Sequence, residues 1–199
     1  MLLTKWITDY GPPDAFTLHG LWPDTCNGGQ TGNSGCDSSR AYSDVGSIIQ
    51  SGNPSLYNQM NTYWPSYKGD NSEFWTHEWD KHGTCVSTLD PSCFGSSYEQ
   101  YEDMYTYFGQ VLELRQKYDL YSIFSNANIT PGDGSVSISD LESAIQSSIG
   151  VQPKISCHDG AINEVWIYFN VQGPNTYVPI DSVESSTCSG STTYPSKNS

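Results

Sequence analysis

The chain is 199 residues long, which suits one domain with a sizeable core. Eight Lys and Arg stand against 22 Asp and Glu, a formal charge of −14, so general electrostatic attraction to a polyanion is excluded at neutral pH. Six cysteines indicate an oxidising compartment and disulfides, and no apolar run of about 18 residues is present to cross a membrane.

Residues 1–7 and 15–19 are expected as strands, joined by a Gly-Pro-Pro turn within 10–14. The first ten residues lack a signal-peptide core, so the chain reads as mature or cut back from something longer. The run FTLHGLWPDTC occupies 16–26. There Gly20 allows close backbone approach beside His19, and the turn at 22–24 presents the Trp22 indole and the Asp24 carboxylate. A flat aromatic beside a short acceptor suits stacking on a base and bonding its edge. Core packing is the competing use of Trp22. Residues 26–38 read as a loop pinned by Cys26 and Cys36, and 40–51 as a short helix. Pro54 at a first helical position opens another helix that ends at Trp64-Pro65.

The run FWTHEWDKHGTC at 74–85 concentrates two histidines, a glutamate and a lysine. Read as a helix, His77 and Lys81 share a column, Glu78 and His82 form the next, and Trp75 and Trp79 flank them as core anchors. Gly83 offers a stop. Such a platform can transfer protons or bind a metal. The helical zinc signature needs its second histidine where Lys81 stands, and a cation there opposes a metal but suits a phosphate. No metal or other cofactor is therefore expected. A solvated surface helix is the bland alternative.

Farther on, Tyr98, Tyr101, Tyr105, Phe108 and Leu112 predict a core-facing helix to about Lys117. Ser139 and Glu142 form a capping-box pattern for a helix closed by Gly150. Residues 163–172 alternate as a half-buried strand, with Val165, Ile167, Phe169 and Val171 on one face. Asn128 begins an N-glycan acceptor sequence. The Ser/Thr-rich residues 189–199 read as a floppy tail behind a domain spanning 1–188. Strands and helices without βαβ alternation indicate α+β.

The runs at 16–23 and 74–85 resemble, in order, the two active-site segments of the ribonuclease T2 family of secreted acid ribonucleases, most closely its fungal branch. The likeness implies a central, mainly antiparallel β-sheet with packed α-helices. It implies an endoribonuclease in which His82 is the general base, His19 the general acid and His77 a phosphate ligand, with Glu78 and Lys81 stabilising the transition state. The substrate would be single-stranded RNA, cleaved by its own 2′-hydroxyl through a 2′,3′-cyclic phosphate; DNA would be inert, no membrane is involved, and the enzyme is expected to be a monomer, secreted or vacuolar. The first base pocket would use Trp22 and Asp24, with Gln30 in place of the fungal tyrosine. The second would use Pro65, Ser66 and Phe74, with Tyr67 and Lys68 replacing the usual Asn and Gln. The resemblance also implies disulfides Cys36–Cys85 and Cys157–Cys188. The fungal partners of Cys26 and Cys93 lie in an N-terminal segment that does not precede Met1 here, so both are expected to be free. A mildly acidic optimum would reconcile the charge with an RNA substrate. The alternative function is a secreted signalling or binding glycoprotein on the same scaffold; a zinc hydrolase is the third.

Overall fold

The computed structural model describes residues 1–25, 27, 29–132, 134–173 and 175–198. The sheet is built on β5 (Ala161–Gln172), a long strand rich in β-branched and aromatic residues. Antiparallel neighbours cover its first half, β1 (Leu2–Lys5) along one edge and β4 (Lys154–His158) along the other. β6 (Thr176–Ile180) returns along its second half. β2 (Thr17–Leu21) pairs outside β1, while β7 (Ser191–Thr193) joins β5 through a parallel bridge and carries β3 (Ser135–Ser137) on its far side. The sheet is mainly antiparallel and the class is α+β.

Period-two alternation decides which face meets which layer. Leu2, Val165 and Ile167 join the main core with the helices. Leu3, Trp166 and Tyr168 pack on the opposite face with Met1, Trp22 and Ile180. β5 is therefore covered on both faces through its first half, where a half-buried strand was expected. Val171, 48 % exposed, is where the predicted burial fails.

α1 (Val45–Gly52), α2 (Pro54–Tyr63) and α3 (Asn71–Lys81) pack together, with Pro54 opening α2 and the Asp70 carboxylate accepting from the Glu73 N–H to cap α3. α4 is a single turn (Pro91–Phe94), α5 runs Glu102–Lys117, α6 Leu120–Asn126 and α7 Ile138–Ile149. Trp64, Trp75, Trp79, Tyr107 and Phe108 fill the core between them. The buried Arg40 guanidinium ties this layer: it donates to Asp103 Oδ2 (2.8 Å) and the Leu89 carbonyl (2.9 Å) and lies over the Trp79 ring. The disulfide Cys36–Cys85 fastens the chain just beyond α3, and Cys157–Cys188 ties β4 to the C-terminal segment. The Cys93 thiol is exposed and has no disulfide partner among the described residues; Cys26 lies outside them.

Four expectations need correction. The described part of the expected floppy tail at 189–199, residues 189–198, is anchored: it includes β7, buries Tyr194 at 2 % exposure, and places Lys197 so that its ammonium donates to the carbonyls of Tyr10 (2.8 Å) and Ala15 (2.7 Å). A Ser/Thr-rich composition conceals this because one aromatic and one lysine do the anchoring, against Trp6 and Phe16. The Ser139–Glu142 box does not form; α7 starts at Ile138, and Glu142 accepts instead from the Ser186 hydroxyl at 2.7 Å. α5 starts at Glu102 because Tyr101, at φ 71°, turns the chain out of the helix. α1 starts at Val45, since the Asp44 carboxylate caps it there.

Candidate active site

His19 sits on an irregularity in the sheet. Leu3 pairs with Gly20 and Thr4 with Leu18, so His19 is the extra residue of a β-bulge. A bulge re-aims its side chain, and the surrounding groups fix where it goes. The Trp64 indole donates to the His19 carbonyl (2.8 Å), and the Tyr107 hydroxyl donates to the Leu21 carbonyl (2.8 Å). The ring Nδ1 meets Glu164 Oε1 at 2.9 Å. Glu164 also accepts from the Trp166 indole (2.9 Å) and pairs with Lys5 Nζ (3.3 Å), its cross-strand neighbour. Burial pushes the Glu164 carboxyl up, but the His19 bond and charge, the Trp166 donor and Lys5 outweigh it and hold the group at about 2.

α3 supplies the other groups. Trp75 and Trp79 are fully buried, as the helical spacing requires, and Glu78 is carried inward with them. The helix ends at Lys81. His82 is its C-cap, at φ −115°, and its N–H still bonds the Glu78 carbonyl. Gly83 does not stop the helix through a left-handed conformation; it opens a 3-10 turn, and a Cβ there would come within 2.3 Å of the Trp79 ring. Close packing, not backbone freedom, requires glycine at this position.

Trp22 joins the two halves. Its indole N–H donates to Glu78 Oε2 (2.9 Å), its face stacks on His82 at 4.4 Å and 7°, and it meets the His19 ring edge-on at 4.8 Å. Gly20 permits this crossing, since a Cβ would lie 2.1 Å from Glu78 Oε2 and 2.6 Å from the indole nitrogen. Burial drives the Glu78 carboxyl up to about 8, with Trp22, Lys5 and Lys81 opposing only in part. His82 is 5 % exposed, and among the described residues neither ring nitrogen has a hydrogen-bond partner. Burial, then the charges of Lys81, His77 and His19, press its pKa down to about 3. His77 is exposed, its ring 6.2 Å from that of His82 and its pKa lowered by burial and by Lys81 and His19.

The base-pocket residues are less uniform. Phe74 faces His19 at 6.1 Å between ring centroids. Ser66 is buried, with its hydroxyl accepting from the Lys68 N–H, and Pro65 is half-buried. Tyr67 is 60 % exposed between Lys5 and Lys68. Trp22 and Asp24 line a cavity of about 690 Å³ with Tyr168, Phe169 and Val86, next to but outside the histidine cluster. Burial raises the Asp24 pKa, partly offset by the Met1 ammonium. Gln30 bridges Asp24 in a β-bridge and is exposed. Asn128 is exposed.

Potential ligand atoms of His77, Glu78 and His82 lie within 4.8 Å of one another. The donor set fits a metal poorly, because Lys81 adds a cation beside it and the Glu78 carboxyl holds its proton up to about 8. Three contributors were not singled out in the sequence: Glu164, Lys5 and Trp166. The one signal for Glu164 was a carboxylate on the same strand face as Trp166 and Tyr168.

The imidazoles of His19, His77 and His82, the buried Glu78 carboxyl and Lys81 thus form one cluster of titratable groups around the Trp22 indole. The model of the ribonuclease T2 family matches residues 4–182. Ribonuclease Rh of Rhizopus niveus is 49 % identical over 99 % of this chain and 82 % of its own, and ribonuclease M of Aspergillus phoenicis 42 % over 100 % and 87 %. A solved structure of actibind, described as a T2 ribonuclease and antitumorigenic agent, superposes with TM-score 0.92 at 39 % identity, covering 100 % of this chain and 87 % of that one. Human RNase T2 does so with TM-score 0.73 at 26 % identity over 99 % and 97 %. The chain belongs to the ribonuclease T2 family and is an endoribonuclease.

Proposed function

We propose that the protein is a secreted, acid-active ribonuclease that cleaves single-stranded RNA without a metal, through a 2′,3′-cyclic phosphate to 3′-phosphate ends. The observation that carries this reading is His82, buried with both ring nitrogens unpaired among the described residues, against the same indole that touches His19. Leaving such a group unpaired costs roughly 1–3 kcal/mol, a cost that substrate binding relieves. With its pKa near 3, His82 is neutral in mild acid and free to accept the 2′-hydroxyl proton.

As the 2′-oxygen attacks phosphorus, His82 takes its proton, and His19 gives a proton to the departing 5′-oxygen. His77 and Lys81 face the phosphate from the α3 side. Glu78, protonated below about 8, donates a hydrogen bond to a phosphoryl oxygen instead of repelling it. Trp22 and Asp24 take the first base in the adjoining cavity, and Phe74, Ser66 and Pro65 the second. DNA lacks the nucleophile. Between about pH 3 and 8, His82 is neutral and Glu78 protonated together, and the anionic surface repels RNA least toward the acid side. Among the described residues no helix is long and apolar enough to cross a membrane, and the two disulfides and exposed Asn128 sequon suit secretion.

The test is digestion of the four RNA homopolymers across pH 3–8 with EDTA, wild type beside His82→Ala, with product ends read by phosphorus NMR. The expected result is chelator-resistant cleavage peaking below pH 7, transient cyclic phosphate, and its loss in the variant. An optimum above pH 8, inhibition by EDTA, or full activity of His82→Ala contradicts the reading.

A further inference from the structure

The proton delivered to the leaving oxygen must come from one ring nitrogen of His19, and the other nitrogen is occupied. Glu164 lies on the central strand, 145 residues away in sequence, is 9 % exposed, and reaches Nδ1 at 2.9 Å. It has no freedom to move off. Its second oxygen accepts from the Trp166 indole, and the Trp166 ring in turn lies 3.6 Å from Lys154 Nζ by its centroid. Lys5 pairs with the oxygen that His19 uses. A carboxylate bonded to Nδ1–H selects the tautomer and leaves Nε2 for the reaction, as in hydrolytic triads.

We propose that Glu164 is a positioning residue for the reaction: it holds His19 by Nδ1–H and so commits Nε2 to protonate the leaving 5′-oxygen. The role rests on the reading of His19 as the general acid. The balance is simple. The ring starts as the imidazolium with a proton on each nitrogen; Nε2–H passes to the 5′-oxygen as the phosphorus–oxygen bond breaks, the bonding pair goes to that oxygen, and the ring is left neutral with Nδ1–H still on Glu164. His82 meanwhile holds the proton from the 2′-hydroxyl. A plain structural ion pair between Glu164 and Lys5 would do none of this, and the two roles differ in what they predict for the leaving group.

The experiment compares a dinucleoside monophosphate, whose leaving alkoxide needs a proton, with a nucleoside 3′-(4-nitrophenyl phosphate), whose phenolate departs without one. For Glu164→Gln we expect kcat on the dinucleotide to fall about 10- to 100-fold, KM to stay within about twofold, and aryl-ester cleavage to fall less than about threefold. The double variant with His19→Ala should be no slower than His19→Ala alone. Should Glu164→Gln fold poorly, Trp166→Phe removes one donor to the carboxylate and should show the same split, smaller. Equal losses on both substrates, a loss confined to KM, or multiplicative losses in the double variant overturn the role. His19→Ala separates the layers. If it slows both substrates equally, the assignment of His19 as acid fails and the positioning role with it. If it shows the split and Glu164→Gln does not, only the role of Glu164 fails.

Discussion

His19 and His82 are the same side chain in opposite settings. His19 projects from a sheet bulge and is held by a carboxylate that two further donors, the Trp166 indole and Lys5, fix in place. His82 closes a helix, lies flat on an indole, has the charges of Lys81, His77 and His19 nearby, and among the described residues neither ring nitrogen has a hydrogen-bond partner. The first setting suits a ring that carries a proton, the second a ring that has none. In the proposed mechanism, surroundings alone separate two groups of one kind into acid and base. Trp22, touching both, keeps them one indole apart.

The comparison can be broken from either end. The largest expected effect is on His82→Ala, which should lower kcat on a dinucleotide by about 10²- to 10⁴-fold, on the nitrophenyl ester as well, because attack by the 2′-hydroxyl is slowed whatever leaves. A loss restricted to the dinucleotide would exchange the two roles.

Glu78→Gln should cost less, about 10- to 100-fold in kcat, and should change stability in a defined window. The folded pKa of Glu78, about 8, lies above its ordinary 4.5. Its contribution is therefore full below about 4.5 and is lost as pH rises toward 8, where the buried carboxylate must ionise. His82 has the opposite sign: its folded pKa of about 3 lies below 6.5, so its contribution is full above 6.5 and is lost as pH falls toward 3. Glutamine cannot ionise, and urea denaturation should find the variant more stable than wild type at pH 8 by roughly 1–4 kcal/mol, with the gap closing at pH 4.5. Equal stability differences at both pH values would show that Glu78 is not held protonated.

The smallest effect sharpens the role of the indole. Trp22→Phe keeps an aromatic against His82 but removes the donor to Glu78. Stability should fall by about 1–3 kcal/mol, as expected for a buried acceptor left unpaired. An unchanged denaturation midpoint would mean that the indole bond to Glu78 contributes nothing.

Local periodicity made half of the site legible. The spacing of His77, Glu78 and Lys81 against Trp75 and Trp79 dictated a helix with a buried edge, and α3 has it. The break at His82 escaped notice because helical spacing continues through it, whereas the chain turns there into the 3-10 turn that Gly83 opens against the Trp79 ring. The other half is long-range. Nothing near His19 in the chain announces a bulge, since the mismatch exists only once β1 is laid beside β2. Glu164 read as a polar position on a strand, and it becomes a partner only when β5 pairs with β1. The same blindness made 189–199 look unstructured, although Lys197 and Tyr194 are anchored by residues near the other end.

The division of labour between the imidazoles is tested most directly by a nuclear magnetic resonance titration of ¹⁵N-labelled histidine rings in the wild-type enzyme, assigned with single His variants. The expected result is a His82 ring that stays neutral from pH 7 down to 4 and takes its proton only near 3, beside a His19 ring whose Nδ1 carries a hydrogen-bonded proton. A His82 transition near the ordinary imidazole value of about 6.5, or an unprotonated His19 Nδ1, would contradict it.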